Sequence, residues 1–324
     1  MTGPRIIFMG TPEFAVPSLG ALLMNNYNVV AVVSAPDKPA GRGLKKKTPA
    51  VAEFARENLL RLLQPAKLGD PSFVKEISDL KPDIIVVVAF RKLPAEVWGI
   101  PRLGTFNLHA SLLPDYRGAA PINHAIINGE KITGLTSFLI DDNIDTGKIL
   151  FRKTIAIGPD DSAGNLHDKM MREGAKLLVK TIKALEKGNI KPIDQDRLKE
   201  ESGTLHKAPR IYPGDCYINW DRKGADVYNF IRGLYPVPGA RTIFRKEADE
   251  FIVKIGKCKC LDKNLHPQAS EIDSDGKTYL RIGAADCAID IERLQMEGRK
   301  FMSVTEFLRG FDIQNTTIIT APGA

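Results

Sequence analysis

The sequence is 324 residues long, 43% hydrophobic and 26% charged, with a formal net charge of +7. That length accommodates one large domain with a real core plus a smaller one, and no apolar run reaches the roughly 20 residues of a membrane helix. Cys216, Cys258, Cys260 and Cys287 are too few and scattered for a disulfide framework, and Cys258 and Cys260 are too close for the usual zinc gap. The basic balance admits acidic partners such as nucleic acid without requiring them.

From Met1 to Phe8 there is no room for a charged head and the apolar stretch of about 7–15 residues of a signal peptide. A cytoplasmic protein is expected, monomeric and without membrane attachment. Residues 5–9 form an apolar run ended by Gly10, and helical spacing from Phe14 to Leu23 follows Pro12, so the chain opens as strand, turn, helix. Asn28 to Val33 reads as a second strand. The loop after it gathers Lys38, Arg42, Lys45, Lys46 and Lys47 around Gly41 and Gly43. Flexible glycine lets such a backbone approach a phosphate or a base edge, although a solvated charge run is the plainer reading. Pro49 to Leu60 returns to helical spacing, and Ile84 to Ala89 is a continuous apolar run of the kind buried on both faces of a parallel sheet.

Strand and helix alternate, which predicts an α/β fold: an open, mostly parallel Rossmann-like sheet with right-handed crossovers and helices on both faces. Ligands in such sheets bind outside the carboxyl ends of the strands, and the next predicted strand, Gly104 to His109, ends there with Asn107 and His109. Thr133 to Ile140 and Lys148 to Ile157 read as two further strands around the turn from Asp141 to Gly147. Ser162 to Leu185 reads as a long helix that Asp161 or Ser162 caps. The stretch from Lys187 to Pro209 is polar and lacks periodicity, as an interdomain linker does. The expected division is therefore a catalytic domain over 1–188, a linker over 189–206 and a second domain over 207–324. Short alternating segments (Phe251 to Ile255, Tyr279 to Ile282, Cys287 to Ile291) predict a small antiparallel OB-like β-barrel there. With 18 Lys and Arg against 16 Asp and Glu, this second domain is not a strongly basic module.

The chemistry concentrates between Asn107 and Gly147, where amide, imidazole, carboxylate and tight-turn residues meet. Acyl transfer to an amine needs a donor at the oxygen of the tetrahedral intermediate and a route for the amine's proton. Asn107 and His109 lie two apart on a strand, so both side chains point to one face and converge on one oxygen. Asp145 sits in a Gly-ended turn after a strand, which brings it within reach of His109; a carboxylate there favours the charged, donating imidazole. The plainer alternative is that Asn107 ends a strand, His109 is a packed core histidine and Asp145 only shapes a turn.

Four segments of this region, Asn107-x-His109, Ser111-Leu-Leu-Pro114, Arg117-Gly-Ala-Ala-Pro121 and Asp141 through Asp145-Thr-Gly147, resemble the signature of the formyltetrahydrofolate-dependent formyltransferases. Phe8-Met-Gly-Thr-Pro12, Pro36-Asp-Lys-Pro-Ala-Gly-Arg-Gly43 and Arg232-Gly-Leu-Tyr-Pro-Val-Pro-Gly239-Ala-Arg-Thr242 extend the likeness to nearly the whole chain. These last three segments resemble the branch that acts on an aminoacylated tRNA.

The resemblance implies transfer of a formyl group from 10-formyltetrahydrofolate to the α-amine of methionine esterified to initiator tRNA. It implies that Asn107 and His109 polarise the formyl oxygen while Asp145 keeps His109 charged or oriented. Ser111, Leu112, Leu113 and Pro114 line the implied folate site, with Val88, Phe90, Asp141 and Asp142 near the pterin. Lys38, Arg42, Lys45, Lys46 and Lys47 become the implied contact with the acceptor end of the tRNA, and the C-terminal barrel the holder of its body. No metal is called for: His124, His167, His206 and His266 lack ligand spacing. Phe90-Arg91 departs from the family's usual aromatic-Gly pair and adds a cation beside the implied folate pocket. The rival readings are a formyltransferase for glycinamide ribonucleotide or an amino-sugar nucleotide, a silent RNA-binding protein, and a dinucleotide-binding oxidoreductase. The last lacks its Gly-x-Gly-x-x-Gly turn, since Gly10-Thr-Pro follows the first strand.

Overall fold

In the computed structural model the described residues are 3–40, 45–199, 205–261 and 268–319. Seven strands form the first sheet: β1 (Arg5–Gly10), β2 (Asn28–Val33), β3 (Leu62–Leu63), β4 (Ile84–Val88), β5 (Thr105–His109), β6 (Ile132–Leu139) and β7 (Ile149–Ala156). Their order is β3-β2-β1-β4-β5-β6-β7. The first five are parallel and the last two join antiparallel. The expected sheet is thus present, with an antiparallel edge. All five residues of β4 are buried, as strands covered on both faces must be. Chain order reverses between β1 and β4, and in open α/β sheets ligands bind outside the carboxyl ends of the strands at such a point.

The helix Ala163–Lys187 covers this sheet, and its Thr181 hydroxyl donates to Ser137 Oγ on β6 at 2.9 Å. Ser162 is its cap: Ser162 Oγ accepts from Asn165 N at 3.2 Å, and Asn165 Oδ1 accepts from Ser162 N at 3.1 Å. Asp161 instead accepts from Gly158 N at 2.7 Å. Farther along this helix, Glu173 accepts from Lys153 on β7 and from Lys176 at 2.7 Å. Those two lysines hold its carboxyl down to about 2 from the ordinary 4.5. A depressed carboxylate stabilises the fold above the unfolded value and loses that contribution as pH falls toward the folded one. Glu173→Gln will therefore flatten the decline in melting temperature between pH 4.5 and about 2, measured by thermal unfolding of both proteins across that window.

The chain forms two compact units, and they are interleaved in sequence. One comprises Met1–Gly118, Ile132–Ala156 and His167–Ala208; the other comprises Ala119–Lys131, Ile157–Leu166 and Pro209–Ala324. The sequence reading places all of 1–188 in one domain, whereas residues 119–131 and 157–166 cluster with the second unit. The reason is packing: Ile127 lies against the second core, and Asn123 Nδ2 donates to the Gly233 carbonyl at 2.7 Å. Described parts of the segment read as a linker carry regular structure. Ile193 bridges Ile149, Gln195–Lys199 forms a short helix, and Lys207–Ala208 pairs in parallel with Arg117–Gly118.

In the second unit the strands run in the order Ile272–Ser274, Leu280–Gly283, Ala288–Met296, Asp249–Cys260, Ala240–Lys246 and Thr316–Ile319. Every pairing is antiparallel, and the two edge strands approach each other, giving a near-barrel. Its core includes Phe244, Phe307, Ile255, Ile289 and Leu294. No helix among the described residues is long and apolar enough to cross a membrane.

Candidate active site

β5 carries Asn107 and His109 to the carboxyl end of the first sheet, where Asn107 pairs with Val87 and Phe138 and His109 with Thr136. The segment after the strand is folded back by buried hydrogen bonds. Thr136 Oγ1 donates to the Ser111 carbonyl at 2.7 Å and accepts from Leu113 N at 3.0 Å. Ser111 Oγ donates to the Asp115 carbonyl at 2.6 Å. Asp115 Oδ1 then accepts from Tyr116 N at 3.1 Å and His206 N at 2.6 Å, and Tyr116 takes φ 57. These bonds turn the Tyr116 carbonyl onto His109 Nε2, at 3.0 Å.

That contact decides the tautomer, because a carbonyl only accepts and Nε2 must carry the proton. Nδ1 is the nitrogen not engaged by that carbonyl, and it faces Asp145 Oδ2 at 3.8 Å, with side-chain exposures of 7% and 12%. This distance exceeds a hydrogen bond, so the pair is an electrostatic one that is attractive when Nδ1 is protonated. No hydrogen bond of the Asn107 carboxamide is present among the described residues, and its side chain is half-buried on the same strand face as His109.

Asp145 is presented by a tight turn. Asp141 Oδ1 accepts from Asn143 N at 3.1 Å and from Thr146 Oγ1 at 2.7 Å. Asp145 itself has φ 57, and its Oδ2 also accepts from Gly118 N at 3.0 Å. Gly118 has φ 132, and a side chain there would collide with the Ala208 carbonyl, so this donor needs glycine. Buried Gln195 bonds to the backbone of the turn. Neither Gln195 nor the Tyr116 carbonyl carries a signal in sequence: one lies in a polar stretch without periodicity, the other is a backbone group.

The residues expected around the folate are placed differently from one another. Ser111, Leu113 and Pro114 are buried, with the Ser111 hydroxyl already spent on Asp115, so they support the segment; of these four only Leu112 has exposed side-chain surface. Val88 is buried as well, whereas Ala89 (φ 47) and Asp142 are exposed and Phe90 and Asp141 are half-buried. Arg91 does not stand free: its guanidinium donates to the carbonyls of Pro65 and Ala66 and lies over the Phe90 ring at 5.5 Å. Lys38–Ala40 and Lys45–Lys47 pair as two short antiparallel strands where the sequence suggests only a loop. Arg42, Gly41, Gly43 and His266 lie outside the described residues.

Family comparisons bear on this constellation. The family described as formyl transferase matches residues 4–182, and its C-terminal domain matches residues 210–312. The methionyl-tRNA formyltransferase of Flavobacterium johnsoniae is 46% identical over 306 residues, covering 94% of this chain and 96% of that protein. The chain belongs to the methionyl-tRNA formyltransferase family. Other members similar to it include those of Azobacteroides pseudotrichonymphae, at 47% identity over 94% of this chain and 95% of that protein, and Bacteroides fragilis, at 44% over 95% of each.

Among solved structures, an N-formyltransferase from Helicobacter canadensis, in complex with folinic acid and dTDP-3-aminofucose, shares the fold. Its TM-score is 0.64 and its identity 22%, over 89% of this chain and 98% of that one. HypX from Aquifex aeolicus in complex with tetrahydrofolic acid aligns with a TM-score of 0.61 and 18% identity, over 96% of this chain and 48% of that one. Asn107, His109 and Asp145 fall within the formyl transferase match, while Gln195 lies between the two matched regions.

Proposed function

We propose that this protein transfers the formyl group of 10-formyltetrahydrofolate to the α-amine of methionyl initiator tRNA. The observation that carries the reading is the fixed imidazole of His109, whose Nε2 is committed to the Tyr116 carbonyl while Nδ1 faces Asp145. Membership in the family supports the choice of donor and acceptor.

The amine nitrogen attacks the formyl carbon, and negative charge collects on the formyl oxygen. Asn107 and the protonated Nδ1 of His109 donate to that oxygen, and the uncommitted Asn107 amide costs no internal hydrogen bond when it does so. Asp145 stabilises the imidazolium and assists passage of the ammonium proton toward the leaving nitrogen of tetrahydrofolate. Collapse re-forms the carbonyl, breaks the bond from the formyl carbon to that nitrogen and leaves an N-formylated amine. The folate fits between the turn after β4, which carries exposed Ala89, and the Asp141–Asn143 turn, with Leu112 as apolar wall.

Incubation with 10-formyltetrahydrofolate and either methionylated initiator or elongator tRNA tests donor, acceptor and specificity together. Formylmethionyl product from the initiator alone is the expected result; formylation of glycinamide ribonucleotide or an amino sugar instead would overturn the acceptor. The cationic segment from Lys38 to Lys47 serves acceptor-stem contact, with binding that weakens steeply as salt rises because phosphate contacts release counterions. Arg42→Ala will raise KM for the tRNA while leaving KM for the folate donor unchanged. Steady-state kinetics in both substrates check this, and unaltered tRNA kinetics would remove Arg42 from recognition.

A further inference from the structure

Gln195 is a buried polar residue in an exposed stretch. Lys191 to Asp194, Asp196 and Arg197 are exposed, yet Gln195 is 1% exposed. Its carboxamide is fully used: Nε2 donates to the carbonyls of Asp145 at 3.0 Å and Gly147 at 2.7 Å, and Oε1 accepts from Arg117 Nε at 3.1 Å and Nη2 at 2.5 Å. Only a carboxamide offers two donors from one nitrogen and an acceptor beside them; ionised Glu has no donor and Lys no acceptor.

The turn it grips needs holding, because Asp145 sits at φ 57, where a residue with a side chain pays a backbone cost. The grip closes a ring. Gly118 N binds the Asp145 carboxylate directly, and Arg117, the other residue of the same short strand, binds the backbone of the turn through Gln195.

We propose that Gln195 is a positioning residue for the transfer reaction, fixing the Asp145–Gly147 turn so that the carboxylate stays opposite His109 Nδ1. This rests on the assignment of His109 and Asp145 made above. Gln195 touches neither reacting group; it acts through the backbone that carries Asp145. A misplacement of about 1 Å in such a group can lower the rate about a hundredfold.

The test uses the full-length protein with Gln195→Leu and the near-isosteric Gln195→Glu, which keeps the volume should the leucine variant fail to fold. Each is read by kcat and KM for both substrates, by thermal unfolding and by a double-mutant cycle with Asp145→Ala. We expect kcat to fall at least about tenfold, with both KM values within about threefold of the parent. The Gln195 change should have little further effect on the residual rate once Asp145 is gone, which is the coupling that a shared role produces. A merely structural role would instead give losses that multiply in the double variant and track the loss of folded protein, and that result would overturn the inference. So would a folded Gln195 variant with parental kcat beside an inactive Asp145→Ala. Near-parental turnover in Asp145→Ala itself would overturn the assignment of Asp145 and this inference with it.

Discussion

His109→Ala and Asp145→Ala will each leave a folded protein whose formyl transfer is slower by about 10²–10⁴-fold, the range that a positioned proton-transfer or electrostatic group contributes. His109 lies 6% exposed at the end of β5, and among the described residues its ring makes one hydrogen bond, to the Tyr116 carbonyl. Losing that bond costs about 1–3 kcal/mol, which an average domain tolerates. The loss should fall on kcat, since neither residue belongs to the basic segment proposed to contact tRNA. Asp145→Asn separates charge from shape: its carbonyl oxygen still accepts from Gly118 N, so activity lost in that variant is attributable to the charge. Single-turnover formylation at saturating substrates, paired with thermal unfolding, makes the measurement. Near-normal turnover in a folded His109→Ala would remove the imidazole from the mechanism.

Gly147→Ala is the substitution with the largest expected effect on stability near the site. A Cβ at that buried position would lie 1.6 Å from the Leu139 carbonyl oxygen, and backbone cannot step aside as a side chain does. Overpacking of this kind costs about 1–3 kcal/mol, and the top of that range or beyond is expected where the obstacle is main chain. The displaced turn also carries Asp145 and accepts from Gln195, so activity should fall with stability. Gly214→Ala, with nothing within 4 Å of the added carbon, serves as the neutral comparison. Urea unfolding of both variants checks the contrast, and equal midpoints would show that the β6–β7 turn relaxes more freely than its geometry implies.

Much of the first sheet was legible because its signals are local. The run Ile84–Val88 is apolar throughout since both faces are covered, and alternation of strand with helix leaves few topologies open. Asn107 and His109 were legible as a pair because a strand repeats every two residues. The helix cap was legible only as a choice between Asp161 and Ser162; hydrogen bonds to Asn165 settle it. The interleaved units were not legible, because the residues that draw 119–131 to the second unit, such as Gly233, are remote in sequence.

The amino-acid sequence by itself determined the order of elements, the residue types available for acyl chemistry and the motifs that mark the family. Periodicity and short motifs are properties of neighbouring residues, and they survive without any knowledge of the fold. Only the tertiary structure decided which nitrogen of His109 faces Asp145, which residues of Ser111–Pro114 are buried, and that Gln195 belongs to the Asp145 turn. Each depends on atoms far apart along the chain, such as the Asp145 carbonyl and the Gln195 amide, brought to hydrogen-bonding distance when buried polar groups had to find partners.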